Sequence, residues 1–149
     1  MLSSKAKYGL KAMIHLARRQ DQGAVVIQDI AAAETIPKKF LDAILLELKN
    51  HGFLSSKKGK GGGYILARRA ELIRVGDIVR TLDGPLAPVP CVSRLFYRKC
   101  DDCRDERACA VRAVMGEVRD AIAAILDNCT LADLITRAQK GEPILQYDI

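Results

Sequence analysis

Aromatic side chains make up 5% of this 149-residue chain, and only Tyr8 and Tyr64 lie near basic clusters. A platform for single-stranded nucleic acid needs several aromatic faces along a cationic groove, so that mode of binding finds no support. Histidine is scarcer still, with only His15 and His51, both in the first half of the chain. The cysteines further on therefore have no histidine base near them in sequence, which weakens a cysteine-dependent redox enzyme as the competing class. No apolar run approaches the about 18 residues that a membrane-spanning helix needs, and no secretory apolar region follows Met1-Leu2-Ser3-Ser4-Lys5. The expected location is the cytoplasm, with no membrane partner. Cysteine is missing from the first 90 residues, and all five lie beyond them. An odd number of cysteines in a chain without an export signal points to thiol, metal or redox chemistry rather than a disulfide framework.

Hydrophobic residues form 49% of the chain, enough for a core in one domain with an appendage or in two small units. The charge is unevenly spread. Residues 1–80 hold 15 Lys and Arg against 7 Asp and Glu, whereas residues 81–149 hold 9 against 11. A basic first half suits a polyanion, and a near-neutral second half suits association or sensing.

The most distinctive basic stretch is Lys57-Lys58-Gly59-Lys60-Gly61-Gly62-Gly63-Tyr64, set between Phe53-Leu54 and Tyr64-Ile65-Leu66. It reads as the tip of a two-stranded wing, where glycines permit positive φ and leave the backbone bare against another surface. Tyr64-Ile65-Leu66-Ala67 lacks the helix start that a nucleotide enzyme's phosphate loop requires, so the polyanion is not a bound nucleotide.

Before the wing, Ser3 or Ser4 can cap a helix running to about Arg19, with Ala6, Leu10, Met13, Ile14 and Ala17 inward and His15 at the core edge. A short helix from Gln28 to Ala33 has no strong cap. After the tight Glu34-Thr35-Ile36 connection, Pro37 opens a helix that ends at His51-Gly52 and buries Phe40, Leu41, Ile44, Leu45 and Leu48. Lys38, Lys39, Asp42 and Ala43 are left outward on its first turns, where a major-groove helix presents side chains to base edges. With Lys57, Lys58, Gly59, Lys60 and Gly61 on the wing, and Lys5, Tyr8 and Gln28 on the two earlier helices, these are the candidate contacts to double-stranded DNA. A helix-turn-helix followed at once by a lysine-rich glycine wing is far more specific than either part alone.

The stretch from Ile27 through Leu82 resembles the Rrf-two family of winged-helix regulators. The resemblance is carried by Ile30-Ala31, Ile36, Phe40-Leu41, Leu48, Gly52-Phe53-Leu54-Ser55-Ser56, Gly59, Gly61-Gly62-Gly63-Tyr64-Ile65-Leu66 and Val75-Gly76-Asp77-Ile78-Val79. It implies a homodimeric repressor or activator, with Lys39, Asp42 and Ala43 at base-reading positions and Lys58 entering the minor groove. Lys60 stands where the family often has proline, and Ala43 replaces a polar reader, so the operator sequence does not carry over.

Val75 to Leu82 reads as a further short helix, and Pro85, Pro88 and Pro90 mark a linker after it. From about Asp105 to Cys129, Val111, Met115, Val118, Ile122, Ile125 and Cys129 recur at spacings of 4, 3, 4, 3 and 4. That is a heptad seam on a helix of roughly seven turns. Arg112, Glu117, Arg119, Asp120 and Asp127 are expected on its outer face, and Val111, Met115, Val118, Ile122 and Ile125 against a second copy. Thr130 caps a last helix that the family architecture returns toward the winged domain. The expected fold is mainly α with a small β-wing, a winged helix-turn-helix plus a long dimerisation helix. Its parts are a DNA-binding domain over 1–82, a linker and cysteine-rich sensor loop over 83–104, and the dimerisation and final helices over 105–149.

Between linker and long helix, Cys91, Cys100, Cys103 and Cys109 fall within nineteen residues among Arg94, Arg98, Lys99, Arg104 and Arg107, cations that favour thiolates. Thiolates ligate iron-sulfur clusters and zinc. Cluster-sensing members of the resembled family carry three cysteines here, which implies Cys91, Cys103 and Cys109, with Cys100 as an extra thiol and optional fourth ligand. An iron-sulfur cluster, zinc, a metal-free thiol switch and structural cysteines all stay open. Cys129 reads as a small buried hydrophobe on the seam.

Overall fold

The computed structural model describes residues 2–141. Helix α1 (Ser4–Arg18) starts where the Ser3 hydroxyl accepts the Ala6 amide at 3.0 Å, satisfying a donor that a helix start otherwise leaves free. It buries Ala6, Gly9, Ala12, Met13, Leu16 and Ala17 together with His15, while Leu10 and Ile14 reach the core only half-buried. Helix α2 (Ile27–Glu34) begins without a side-chain cap. It stops at Thr35, which holds a left-handed φ of 55°, and the Ile36 amide then donates to the Ala31 carbonyl at 3.0 Å. A β-branched residue there carries strain of about 1–3 kcal/mol, which the burial of Ile36 immediately after it offsets.

That turn delivers the chain to α3 (Lys38–Asn50), which packs Leu41, Ile44, Leu45 and Leu48 inward. Phe40 departs from the expected stripe: it is 61% exposed. At 100° per residue it lies about a quarter-turn from the centre of the buried four, too far round the helix to reach the core. Strands β1 (Leu54–Lys57) and β2 (Gly63–Leu66) then pair antiparallel, from Leu54 with Leu66 to Lys57 with Gly63. Val25 adds an isolated antiparallel bridge through reciprocal bonds with Tyr64 of 2.9 and 2.8 Å. Gly63, at φ 138°, lies so close to the Val25 carbonyl that a Cβ would overlap it, so glycine is required where the wing is pinned to the helices.

Helix α4 (Val75–Asp83) closes the unit with Val75, Ile78, Val79 and Leu82. Helix α6 (Leu131–Lys140) opens on a reciprocal Thr130–Asp133 capping box and returns to the same core, where Leu131 is fully buried. The Leu131 amide donates to the Ile73 carbonyl at 3.0 Å, and the Val75 amide to the Cys129 carbonyl at 2.8 Å.

Helix α5 (Ala110–Asp127) differs from the expected element in length and in facing. It has 18 residues, about 27 Å of helix, because Glu106 to Ala108 form bends and Cys109 is the N-cap. None of its residues is buried. Arg112, Arg119 and Asp127, expected to face solvent, are turned inward toward polar partners, while Glu117 and Asp120 stay exposed. Arg80 grips Asp127 through two bonds of 2.7 and 2.8 Å, Arg119 donates to the Val92 carbonyl at 2.6 Å, and Arg112 to the Cys91 carbonyl at 3.4 Å. Gly76 makes the α4–α5 approach possible, because a Cβ there would overlap the Asp127 carboxylate. Val111, Val118 and Ile125 are left 64%, 37% and 62% exposed, with Val114 beside them and Met115 and Ile122 half-buried. Cys129 lies past the helix end, buried against Val75 and Val79 rather than on the seam.

Candidate DNA-binding surface and thiol site

The start of α3 projects Lys38, Lys39, Asp42 and Ala43 into solvent, with Phe40 on the flank. Lys38 is held by Asp42 at 3.2 Å, an exposed i,i+4 pair worth a few tenths of a kcal/mol that a stronger anion displaces at little cost. Lys5 likewise pairs with Glu47 at 2.6 Å, joining the first turn of α1 to α3. Gln28 is exposed on α2, whereas Tyr8 packs partly against the core. Among the described residues Lys39, Lys57, Lys58 and Lys60 carry no ion pair. At the wing tip Gly59 and Gly61 take φ of 82° and 75° in open space, and the Gly62 amide closes the turn onto the Gly59 carbonyl at 2.9 Å. The tip therefore offers backbone and cations with no side chain between them.

Behind this surface, Glu34 gathers His15 and Lys11. The Glu34 carboxylate meets His15 Nδ1 at 3.1 Å, and the Lys11 ammonium donates to the Glu34 carbonyl. This cluster ties α1 to α2 and leaves the buried His15 Nε2 without a partner among the described residues.

The cysteines divide by environment. Cys91 is 7% exposed on the one-turn 3-10 helix Pro90–Val92, and Cys109 caps α5, its sulfur accepting the Arg112 amide at 3.4 Å. Cys100 and Cys103 are half-buried, joined by a turn in which the Cys103 amide donates to the Cys100 carbonyl at 3.2 Å. All are free thiols. Contact with the Cys91 thiol pushes the Cys100 thiol up from its ordinary pKa, and desolvation followed by the nearby Cys109 does the same to Cys103. At these two thiols, desolvation and neighbouring thiols outweigh the cations expected to favour thiolates. Of the cations expected to favour thiolates, Arg94 is engaged on Asp120 at 3.1 Å, and Lys99 pulls on Cys103 too weakly to win. Among the described residues no three His, Cys, Asp or Glu side chains stand where one metal ion could be held. Cys91, Cys103 and Cys109 thus do not make a ready ligand triad, although Cys103 lies within electrostatic reach of both others.

A model of the Rrf2 family, described as "Iron-dependent Transcriptional regulator", matches residues 2–137. The chain belongs to the Rrf2 family. It is 40% identical over 149 residues to an rrf2-like HTH-type regulator of Rhodobacter capsulatus, covering 98% of this chain and 99% of that one. Among solved structures it is similar to CymR, the global cysteine regulator of Bacillus subtilis, with TM-score 0.76 and 32% identity over 91% of this chain and 96% of that one. It is equally similar to the IscR of T. potens, with TM-score 0.76 and 31% identity over 99% and 94%.

As a member of the Rrf2 family the chain is a DNA-binding transcriptional regulator with the winged-helix fold. No helix among the described residues is long and apolar enough to cross a membrane. What sequence reasoning missed in this Rrf2-family chain is mostly polar: Glu34 with His15, and Arg80 with Asp127, 47 positions apart. No local pattern announces such pairs. Phe40 could have been found, because a helical wheel centred on Leu41, Ile44, Leu45 and Leu48 already leaves it outside.

Proposed function

We propose that this protein is a homodimeric repressor that sets α3 into the major groove and lays the wing tip along the minor groove of a pseudo-palindromic operator. The observation that carries the reading is the outward, cation-bearing start of α3 followed directly by a bare, lysine-tipped wing. Lys39, Asp42 and Ala43 would read base edges, while Lys58, with Lys57, Lys60, Lys5 and Gln28, would hold the phosphates. The open apolar face of α5 supports joining two copies, since its polar face is already spent on the chain's own winged unit. Two recognition helices would then meet half-sites about one helical turn apart.

The cysteine loop adjusts this affinity. Cys91 follows the linker and Cys109 starts α5, so a bond or ligand between them changes how the winged unit sits relative to the helix that joins two copies. A bias of about 1–3 kcal/mol alters operator occupancy five- to a hundred-fold. Four free thiols between the linker and the start of α5 would support redox chemistry of the cysteines themselves, without metal. A second reading, an iron-sulfur cluster or zinc on Cys91, Cys103 and Cys109 with or without Cys100, draws on the family's description as iron-dependent and on the named similarity to IscR. The ligands do not converge as they stand, so no step is assigned to such a group.

One experiment separates these. Protein purified without oxygen is assayed for visible absorption, iron and zinc, then titrated by fluorescence anisotropy onto duplexes selected from a random pool, before and after oxidant. Selection of a two-fold-related site, with affinity that shifts on oxidation of metal-free protein and returns with thiol reductant, supports the proposal. A coloured, iron-containing protein whose Cys91→Ala, Cys103→Ala and Cys109→Ala variants each lose the colour favours the cluster. Absence of any preference over random duplex sinks the DNA assignment, and turnover on thiol substrates would restore the enzyme.

A further inference from the structure

Helix α5 has two usable sides. Val111, Val118 and Ile125 form its open apolar side, and at 100° per residue Asp120, Ala123 and Asp127 lie about half a turn away from them. That second side closes a groove of about 780 Å³ against the start of α4, the linker at Pro85 and Leu86, and the turn carrying Arg94, Leu95 and Phe96. The volume falls within the roughly 300–1,000 Å³ of small-molecule sites, and the groove does not use the face that a second copy would cover.

The lining of the groove is of two kinds. Four guanidiniums, Arg74, Arg80, Arg94 and Arg119, stand with three carboxylates, Asp77, Asp120 and Asp127, which leaves one positive charge in excess. Arg80 is engaged by two bonds to Asp127, whereas Arg74 has no ion pair among the described residues. Arg94 makes a single bond of 3.1 Å to Asp120 Oδ1, an oxygen that already accepts two nitrogens of Arg119 at 2.9 and 2.7 Å. Arg94 thus shares its carboxylate, lies exposed and keeps donors of its planar fork free for another anion. Next to it in the chain Leu95 and Phe96 are exposed, and with Pro85, Leu86 and Ala123 they give the groove an apolar wall. A guanidinium with spare donors beside an open aromatic ring and aliphatic carbons fits a flat apolar body that ends in a carboxylate. The single excess charge fits a monoanion better than a phosphate dianion.

We propose that this groove is an effector site for an aryl monocarboxylate, whose carboxylate takes the free donors of Arg94 while its ring lies along Leu95 and Phe96. The ligand touches α4 and α5 at once. Because α4 belongs to the winged unit and the apolar side of α5 is the one open to a second copy, occupancy changes how the two are joined. The site needs no thiol and so goes beyond the reading of the cysteine loop. Its effector role rests on the proposed dimeric DNA-binding reading, whereas ligand binding itself does not.

The test uses full-length protein kept reduced, with naphthoate as the probe in isothermal titration calorimetry. Naphthamide supplies the same ring without charge, and naphthyl phosphate the same ring with a second charge. The expected result is saturable binding of one naphthoate per chain, weakened about tenfold or more for the amide and in Arg94→Gln. Binding should be abolished in Ala124→Trp, which fills the groove from an exposed position on α5. Circular dichroism verifies that each variant is folded. No saturable binding, equal affinity for the amide, or unchanged affinity in either variant overturns the site, and tighter binding of the phosphate overturns the monocarboxylate. Anisotropy on the selected operator, with and without saturating naphthoate, should then show affinity shifted about fivefold or more. Calorimetric binding without that shift overturns the effector role. A protein that prefers no duplex at all fails the DNA reading instead, since the calorimetry contains no DNA.

Discussion

Helices α4 and α5 solve the same problem in opposite ways. In nine residues α4 buries Val75, Gly76, Ile78, Val79 and Leu82, and its place is set by apolar contact with α1 and α3. In eighteen residues α5 buries none, and its place is set by Arg80 on Asp127 and by Arg112 and Arg119 on two carbonyls. Apolar packing is strong but non-directional and tolerates no vacancy, whereas charge-assisted hydrogen bonds are directional and individually modest. The winged unit is therefore a cohesive body. Helix α5 is attached to it by a few specific bonds, with its apolar face left exposed.

The comparison can be broken at four places. The largest effect is expected from Val118→Asp or Ile125→Asp, which leaves the isolated chain folded but buries an unpaired charge in the proposed dimer. A cost of about 3–5 kcal/mol should convert dimer to monomer at micromolar concentration in analytical ultracentrifugation, with helix content unchanged. A wild-type protein that is already monomeric there would remove α5 as a dimer helix. Next, Leu45→Ala, at a fully buried site of the winged core, should lower unfolding free energy by about 2–5 kcal/mol in urea titration. A loss below 1 kcal/mol would mean that the core is not as continuous as drawn.

A smaller effect sharpens the contrast. Asp127→Ala removes the α4–α5 grip, and with both partners about a third exposed the cost is about 1 kcal/mol at neutral pH after solvent screening. The bond to Arg80 holds the Asp127 carboxyl below the usual carboxylate range. A depressed folded pKa contributes stability above the unfolded value, about 3.9, and that contribution is lost as pH falls through the folded value. The difference between wild type and Asp127→Ala should therefore be full at pH 7 and fade in strong acid, as read by thermal melts across pH. A difference that persisted at low pH would assign it to packing instead. Smallest of all, Lys58→Ala should leave stability unchanged, weaken every duplex alike and reduce the salt slope of binding by about one unit. An unaltered slope on the selected operator would take the wing off the DNA.

The sequence was legible where one physical rule acts over a short range. Ser3 and Thr130 are helix caps, Gly59 and Gly61 take positive φ at the wing tip, and the Leu41, Ile44, Leu45, Leu48 stripe is a 3.6-residue period; each was readable because cap, turn and period are local. So the helix-turn-helix with its wing, the apolar seam of the last long helix and the concentration of thiols beyond residue 90 were determined by the chain alone. Which way α5 faces was not, because an amphipathic helix shows that it has two sides but not which side its own domain will take. That choice fell to Arg80, Val92 and Cys91, residues far away in sequence whose charge and carbonyls claim the polar side. Thiol behaviour was decided in the same way. Spacing counts cysteines and neighbouring cations, but only the fold decides how far each thiol is desolvated and which thiols and carboxylates face it, so Cys100 is raised and the pull of Lys99 is outweighed at Cys103.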